Sequence, residues 1–452
     1  MNLARTGFAV ALSLAGVGLA GCMSPREDTG KVSAGLEQRT GHVLTNAQPG
    51  QLTLPSTVSL DDGLSEDEAV TLALWNNALF LETLADLGLS RADLVQAGLL
   101  PNPTFSMLIP VGAKPLELTA KYPFEILWLR PRRVAAAKLD YERTAQRIVQ
   151  SGLELIRDVR VAFADLSLAN QRLALAEETS TLNQSIAGLS QARLSAGEAS
   201  ELEAGTAGVE VLQAQEQVAR LKQDARISRE RLRHLVGLAP EQWTARVVET
   251  PLPSRVDPDL GLLVTNALAA RPDLKAAEIG LEAAGKRIGL ARAEVFTLAA
   301  GINAKETGSG ANKEFLTGPT LDLVVPILNQ NQGGVAQAKA KLEKAARQYH
   351  TVHDRIVLEV RESHARLAQA RESHDLWSGK ILPPLEESVR QAGKAYEAGN
   401  VSYLFVLETS RKLYDARLKG AAAAADLRRA TAELERSVCQ RIEAAGHLST
   451  KP

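Results

Sequence analysis

The sequence is poor in the residues that hold small exported proteins together. Only two of its 452 residues are cysteines, which excludes a scaffold built on several disulfides. Lys and Arg (52) almost balance Asp and Glu (53), so there is no basic excess of the kind that favours nucleic-acid binding. The three methionines offer no thioether ladder for copper. Aromatic residues make up 4% of the chain, and the abundant Ala and Leu favour helices packed closely on one another.

The first 22 residues predict where the protein works. Arg5 gives the start a positive charge, and Gly7–Ala20 contains no charged residue. This order is typical of a secretory signal peptide, whose apolar core of about 14 residues is too short to span a membrane. The closing Leu19-Ala-Gly-Cys22 resembles the lipobox of bacterial lipoproteins, which implies a covalent lipid on Cys22. Met23 follows the cysteine where an Asp would indicate retention at the inner membrane, so we expect the outer membrane.

The rest of the chain consists of two halves with the same predicted order of elements. Each half begins with a predicted helix, Glu66–Gly98 in the first half and Pro258–Val295 in the second. Strand-like residues and then a very long helical pair follow in both halves. We divide the chain into a signal peptide (1–21), a lipid-anchored extended segment (22–62), a first repeat (63–238), a linker or equatorial belt (239–257), a second repeat (258–446) and a tail (447–452).

Long helices are the strongest feature of both halves. No proline occurs between Pro131 and Pro240, and a helix over Arg132–Ala196 would be about 97 Å long at 1.5 Å per residue. In the second half, Pro383-Pro384 predicts a kink or a split in the corresponding helix. Apolar residues at helical spacing predict a packed stripe in the first half (Ile156, Val159, Phe163, Leu166, Leu173) and a coiled-coil seam in the second (Leu342, Ala345, Tyr349, Val352, Ile356).

Both helical pairs turn at similar sequences. Gly197 and Gly399 stand where a left-handed residue ends a helix, and Ser200 and Ser402 stand where an N-cap begins the next one. The glycines and the serines are both separated by 202 residues (399 − 197 and 402 − 200). A common offset of this kind supports an internal duplication.

Short alternating segments predict four strands, two in each half. Strands of about 9–11 residues with alternating faces suit a membrane β-barrel. Four strands cannot close a barrel, and an open edge in lipid leaves backbone groups without partners, so several chains must contribute to one barrel. Gly308–Lys313 lacks the spacing of a phosphate-binding loop and is interpreted as a turn between strands. The predicted strands are Thr104–Val111, Leu116–Phe124, Leu298–Thr307 and Leu316–Val325.

Four of the seven histidines lie close together in the second half. His350, His353, His364 and His374 occupy roughly a 120° arc of one helix. The arc fits a metal path or a pH-sensitive face, and it also fits an ordinary polar helix surface. No pair has i, i+4 spacing in a HExxH context, so we predict no metal site. No nucleophile–histidine arrangement stands out either, and an enzyme is the least favoured class.

Several motifs, in this order, resemble the TolC-like outer-membrane efflux proteins. Leu100-Pro-Asn-Pro-Thr104 resembles the family's start of the first strand pair, and Val325–Gly334 resembles the exit from the second. Ala395–Gly399 followed by Leu404–Glu408 resembles the turn and the start of the returning helix. The resemblance extends from about Glu66 to Arg436 and rests on the order and spacing of the motifs.

The resemblance implies a fold, a function and partners. The fold would be mainly α with a small β part: a long antiparallel helical coiled-coil barrel plus four β-strands per chain, which contribute to a shared trimeric 12-stranded transmembrane β-barrel (four strands from each of three chains). The homotrimer would be the exit duct of a tripartite efflux system in the outer membrane. An inner-membrane pump would deliver substrate through a periplasmic adaptor, and the adaptor would dock at the turns. The docking residues would be Gly197, Ser200, Gly399 and Ser402.

The family's gate position is matched by two residues of the second half. Leu404 corresponds to an apolar gate residue and Glu408 to an acidic one, although the family's usual Asp is a Glu here. Three such carboxylates at a threefold axis would repel, which would raise their pKa values, and would favour cations. The corresponding residue of the first half is Thr206, which carries no charge. Glu408 also fits a solvated carboxylate on a helix surface.

Two alternatives remain open at the level of sequence. The same fold could serve metal-ion efflux or type I protein secretion, since cargo choice resides largely in the pump and adaptor. In another class, the chain could be a structural periplasmic coiled-coil lipoprotein that spans no membrane. The four strands disfavour that second alternative, because a purely structural coiled coil has no need of them.

Overall fold

The computed structural model describes residues 29–44, 54–55, 58, 63–110, 115–239, 246–248, 251–252, 259–308, 313–398 and 400–442. Cys22 and Gly399 lie outside the described residues. Two compact units are present, one containing Leu84–Ala145 and Ala276–Tyr349, the other Gly30–Thr83, Gln146–Lys275 and the chain from His350 onward. The first unit holds the strands and the second holds the hairpin turns.

The described residues confirm a mainly helical chain with a small β part. None of the helices in the described ranges combines the length with the apolar composition needed to cross a lipid bilayer. The helices are α1 (Gly30–Thr40), α2 (Glu66–Asn76), α3 (Ala78–Gly98), α4 (Ile126–Ser195), α5 (Glu201–Val236), α6 (Leu260–Ala270), α7 (Pro272–Ala293), α8 (Gln332–Asp375), α9 (Leu382–Glu397) and α10 (Tyr403–Val438). The strands are β1 (Thr104–Leu108), β2 (Glu117–Pro123), β3 (Thr297–Thr307) and β4 (Glu314–Val324).

The four predicted strands are confirmed and form one antiparallel sheet in the order β1-β2-β3-β4. Each repeat contributes one hairpin, and β2 pairs with β3 to join the two, with Ala120 opposite Ile302. The first strand ends at Leu108 instead of the predicted Val111. Pro110 explains the early end, because a proline has no N–H to donate to a strand ladder.

The longest helix is longer than predicted. Helix α4 contains 70 residues, about 105 Å at 1.5 Å per residue, and begins at Ile126, before Pro131. Starting the helix after the proline was therefore wrong. The missing N–H of Pro131 deprives the carbonyl of Leu127 of its helical partner. The Leu127 side chain is 71% exposed, so water can reach this part of the helix.

We predicted that each leading helix is continuous, but each is broken into two helices. Asn77 separates α2 from α3, and Arg271 separates α6 from α7; both have extended backbone, with ψ of 117° and 125°. Arg271 precedes Pro272, and a residue before proline is disfavoured in the helical region. The Asn77 side chain instead accepts a hydrogen bond from the Phe80 N–H (2.9 Å) and so caps the start of α3.

The prolines at 383 and 384 do not split the second-half helix. A π-helical turn, Leu376–Ile381, joins α8 to α9. The Leu382 N–H donates to the carbonyl of Trp377, five residues back, which defines this wider turn. The prolines follow directly after this wider turn, at the start of α9.

The predicted stripe on α4 is a packed face, but the predicted seam on α8 is less buried. Four residues of the α4 stripe are buried, Ile156, Val159, Phe163 and Leu166, and only Leu173 is half-buried. On α8 only Ile356 is buried, and the other four seam residues are half-buried, Leu342, Ala345, Tyr349 and Val352. The 3–4 spacing therefore located the core of α4 correctly and that of α8 only at Ile356.

Candidate channel surface and gate

The sheet has one predominantly apolar face. Its register places Phe105, Ala120, Ile302 and Pro319 in one row across all four strands. The row two residues along contains Met107, Leu118, Ala304 and Thr317, and Leu321 lies on the same face. Phe105 is 79% exposed, and Ile302 and Leu321 are exposed as well. Large apolar side chains thus remain uncovered within one chain.

The opposite face of the sheet is mainly polar. Lys121 on β2 forms an ion pair of 2.8 Å with Asp322 on β4, across the intervening strand. The Asn303 amide on β3 donates to the Glu117 carboxylate (2.6 Å) and to the Thr119 hydroxyl (2.9 Å) on β2. Apolar and polar residues therefore alternate along the strands, as they do in membrane β-barrels.

The outer strands β1 and β4 each have a single partner among the described residues. One edge of each is left with unpaired backbone N–H and C=O groups. Such an edge is a template for pairing with a further strand. An open sheet with a free edge on both sides and an apolar face can be completed by other copies of the same chain.

The turn between α4 and α5 has the geometry predicted for it. Gly197 adopts a left-handed conformation (φ 78°), and the N–H of Glu198 donates to the carbonyl of Arg193 (2.8 Å), as in a Schellman motif. The Ser200 hydroxyl accepts a hydrogen bond from the Glu203 N–H (3.1 Å) and caps α5. The role of these residues in docking stays a prediction.

The turn between α9 and α10 differs in detail. Ser402 occupies the N-cap position of α10 with extended backbone, but its side chain makes no capping hydrogen bond. The predicted N-cap position of Ser402 is therefore confirmed, although its hydroxyl does not bond to the helix. The Asn400 N–H donates to the carbonyl of Ala395 (2.8 Å) and closes the end of α9. Gly399 lies outside the described residues, so its predicted role remains a prediction.

The candidate gate residues lie one helical turn apart in the first turns of α10. Leu404 is 69% exposed, and the Glu408 carboxylate is also exposed. The Lys412 ammonium lies 2.8 Å from Glu408, and its hydrogen bond lowers the pKa of that carboxyl. The predicted rise in pKa depends on three copies meeting, so it stays a prediction. Sequence reasoning missed Lys412, although i, i+4 spacing indicates such a pair.

Ion pairs join α10 to its neighbouring helices near the gate. Arg411 pairs with Glu210 on α5. Arg417 pairs with Glu178 on α4 (3.1 Å) and with Glu386 on α9 (3.2 Å). These ion pairs join residues far apart in sequence, and no local sequence pattern predicts them.

The helical ends of the two hairpins are joined by a hydrogen bond and a cation–π contact. The Arg193 guanidinium on α4 donates to the Tyr396 hydroxyl on α9 (3.0 Å) and lies 5.9 Å from the centre of its ring. In the first repeat, Thr206 donates its hydroxyl hydrogen bond to the carbonyl of Leu202 (2.7 Å). It contributes no charge, as predicted.

The histidine arc shows no metal-binding geometry in the described ranges. His353 lies 3.1 Å from Asp354, and His374 lies 3.7 Å from Asp375. These two of the four histidines thus neighbour the carboxylate that follows them in sequence. Across the part of the chain that the structure describes, no three His, Cys, Asp or Glu side chains are placed to hold a metal ion.

Comparison with known proteins assigns the family. Residues 111–238 and 263–439 match the outer membrane efflux protein family. The cobalt-zinc-cadmium resistance protein CzcC of Cupriavidus metallidurans is 25% identical in an alignment of 366 positions that covers 79% of this chain and 85% of CzcC. The pyoverdine export outer membrane protein OpmQ of Pseudomonas putida is 28% identical in an alignment of 319 positions that covers 67% of this chain and 65% of OpmQ.

The fold is shared with solved structures. A membrane protein from Pseudomonas aeruginosa superimposes with a TM-score of 0.69 at 19% identity, covering 87% of this chain and 98% of that one. The mainly helical fold with a small sheet is thereby confirmed. The family match covers more than half of the chain and confirms both the resemblance inferred from the motifs and the outer membrane as location. The chain belongs to the outer membrane efflux protein family.

Proposed function

We propose that this outer membrane efflux protein is the exit channel of a tripartite efflux system and works as a homotrimer. The observation that carries the proposal is the sheet, with its exposed apolar face and its two unpaired edges. The edge of β4 in one copy pairs with the edge of β1 in the next. Three copies with four strands each then close a 12-stranded barrel.

Closure of the barrel places one face of the sheet against lipid and the other against water. The face with Phe105 and Ile302 contacts lipid, and the face with Lys121 and Asp322 lines a water-filled interior. The long helices α4, α5, α8 and α10 continue the tube into the periplasm. The channel conducts passively and performs no chemistry of its own, since the pump supplies the energy.

The partners of the channel act at the hairpin ends. A periplasmic adaptor docks at the two turns and connects the channel to an inner-membrane pump. The docking positions are Gly197 and Ser200 in the first turn and Gly399 and Ser402 in the second. The exposed Leu404 and Glu408 side chains, close to the second turn, form the periplasmic gate when three copies meet.

A lipid on Cys22 anchors the mature chain to the outer membrane. The support for it is the signal-like segment that ends in Leu19-Ala-Gly-Cys22. Metabolic labelling with a radioactive fatty acid should mark the protein, and Cys22→Ser should abolish the label. Acylation that persists in Cys22→Ser contradicts the anchor and leaves the channel proposal unaffected.

The channel proposal is tested by mass and conductance together. We expect the detergent-purified protein to have the mass of three chains and to insert into a planar bilayer with discrete conductance steps. A monomer that never inserts contradicts the proposal and favours a structural lipoprotein.

The alignment supports metal ions as cargo. The match to CzcC covers more of both chains than the match to OpmQ, although its identity is slightly lower. We expect a strain lacking this protein to become sensitive to cobalt, zinc or cadmium salts, and the gene to restore resistance. Unchanged metal sensitivity contradicts this cargo while the channel itself stands.

A further inference from the structure

The start of α4 carries three arginines without acidic partners. Arg130, Arg132 and Arg133 are all exposed, and no carboxylate in the described ranges forms an ion pair with them. The first turn of the helix contains no acidic residue. Further along the same helix, Arg143 and Arg160 form ion pairs, whereas the exposed Arg147 and Arg172 form none with a described carboxylate.

The three arginines differ in what they contact. The Arg130 Nε donates to the carbonyl of Gly98 (2.7 Å), the last residue of α3, which is a structural helix-end contact. The Arg132 guanidinium donates one hydrogen bond to the carbonyl of Trp128 (2.6 Å) and keeps its remaining donors free. Arg133 makes no hydrogen bond or ion pair to another described residue.

No described carboxylate pairs with Arg132 or Arg133. They are the seventh and eighth residues of α4, beyond the first turn, where the helix dipole has little effect. Their exposed guanidinium groups therefore keep N–H donors available for an anion from outside the chain.

The surroundings of the arginines are apolar. Leu127 is 71% exposed, Phe124 is exposed, and Trp128 is half-buried beside them. These residues directly follow β2 and continue from the strand end into the helix. Leu100 precedes β1 and Phe296 precedes β3 at the same end of the sheet, and both are exposed. An apolar belt thus runs along the boundary between strands and helices.

The second repeat has the belt without the charge. After β4, Ile327 (76% exposed) and Leu328 (91% exposed) continue the apolar surface. The next residues are Asn329, Gln330, Asn331 and Gln332, all of them neutral. A general need for solubility at this level would apply to both repeats, so the arginines of the first repeat require a separate reason.

We propose that Trp128, Arg132 and Arg133 bind the phosphate of a phospholipid head group in the inner leaflet of the outer membrane. The inference rests on the proposed barrel, which places the end of β2 at the periplasmic surface of the membrane. Guanidinium groups bind phosphate oxygens through paired N–H donors. Tryptophan is enriched at membrane interfaces, because its ring is apolar and its N–H is polar.

The experiment measures binding of phosphatidylglycerol to the detergent-solubilised trimer by native mass spectrometry. An arginine near an anionic lipid surface contributes about a fivefold gain in binding, so Arg132→Gln with Arg133→Gln should weaken binding about 25-fold. Arg133→Gln alone should weaken it about fivefold, and that variant loses no described contact. The matched control is Arg229→Gln with Arg231→Gln, two exposed arginines of α5.

Each outcome decides the inference. Equal affinity in the wild type and the double variant overturns it, and so does an equal loss in the control. Inorganic phosphate that displaces the lipid at equal concentration shows a free-anion site and overturns the lipid assignment. If the wild type forms no conducting trimer, the proposed function fails as well. A conducting trimer with unchanged lipid binding overturns this inference alone.

Discussion

The leading helix is broken in both repeats, but the side chain at the break is a neutral amide in the first repeat and a charged guanidinium in the second. In the first repeat the buried Asn77 amide donates to the carbonyl of Leu235 (2.9 Å), near the end of α5. In the second repeat the buried Arg271 guanidinium reaches the carbonyl of Ser437 (3.5 Å), near the end of α10. The two acceptors are 202 residues apart (437 − 235), the same offset that separates the hairpin turns.

A buried charge requires partners that a buried amide does not. Arg271 binds Asp273 (2.7 Å) and Glu359 (2.6 Å), and Arg436 also binds Glu359 (3.1 Å). Burial acts to raise the pKa of Glu359, but the hydrogen bonds from both arginines outweigh it and hold the pKa below its usual 4.5. The first repeat is therefore joined by a neutral contact and the second by an ionic network. The duplicated fold therefore accommodates either a neutral hydrogen bond or an ionic network at this position.

The largest expected effect comes from removing the charge at the second break. Arg271→Ala removes the most buried partner of two carboxylates, although Arg355 stays 3.1 Å from Asp273 and Arg436 stays 3.1 Å from Glu359, and should lower the free energy of unfolding by about 3 kcal/mol. Asn77→Ala removes neutral hydrogen bonds and should cost about 1–3 kcal/mol. Chemical denaturation of the purified protein measures both. Arg366→Ala, which breaks an exposed ion pair with Glu362, is the control and should cost under about 1 kcal/mol. An Arg271→Ala cost no larger than that of Asn77→Ala would show that the network adds nothing.

The helix ends beside these breaks give the second test. Gly237 after α5 and Cys439 after α10 are 202 residues apart (439 − 237), and both have positive φ (78° and 55°). A Cβ at Gly237 would clash with the carbonyl oxygen of Asn76, so Gly237→Ala should destabilise by about 2 kcal/mol or more.

The reciprocal change should have a smaller effect. Cys439→Gly relieves the left-handed conformation, worth about 1 kcal/mol, but removes a fully buried side chain. The two contributions oppose each other, and the thermal midpoint should move little. A midpoint that falls as far as in Gly237→Ala would mean that the two helix ends are not equivalent.

As the pH falls, the stability that His42 contributes beside α2 should be lost before the stability that Glu359 contributes in the second repeat. The buried His42 imidazole lies 3.1 Å from the Thr71 hydroxyl of α2, with Asp67, Arg441 and Arg160 nearby. Burial lowers the pKa of His42 from 6.5 to about 4, so the unfolded chain binds the proton first. The stability that His42 contributes is therefore present above pH 6.5 and lost as the pH falls towards 4. Glu359 has a lowered carboxyl pKa, so its contribution is lost only below about pH 4.5.

Hydrogen exchange followed by mass spectrometry resolves this order. The amides of α2 should lose protection between pH 6.5 and 5, and those at the α6–α7 junction only at lower pH. His42→Gln cannot titrate and should remove the early loss in α2 without changing the second junction. Simultaneous loss at both places in the wild type would show that one cooperative transition overrides both groups.

Local patterns predicted the regular elements and missed most contacts between distant residues. The strands and the stripe through Phe163 follow from spacing along a few turns or residues, which sequence displays directly. The contact from Asn77 to Leu235 spans 158 residues, and the link from Arg411 to Glu210 spans 201 residues. A single sequence offers no signal for such pairs. Three missed features were local and readable: the Asn77 cap of α3, the break before Pro272, and the i, i+4 pair of Glu408 with Lys412.

The smallest expected effect on the structure comes from a substitution at the candidate gate, where Glu408 of the second repeat is charged and Thr206 of the first is not. Glu408→Thr gives the second repeat the residue that Thr206 provides in the first, and both side chains lie on exposed helix surfaces. In the proposed trimer, loss of three carboxylates from the proposed gate should reduce the preference of the channel for cations. The reversal potential in a potassium chloride gradient measures this preference, with Thr206→Ala as the control. Because Lys412 pairs with Glu408, Lys412→Gln should shift the reversal potential the opposite way, towards stronger cation preference. An unchanged potential in both variants would place the selective constriction away from these residues and leave the fold assignment intact.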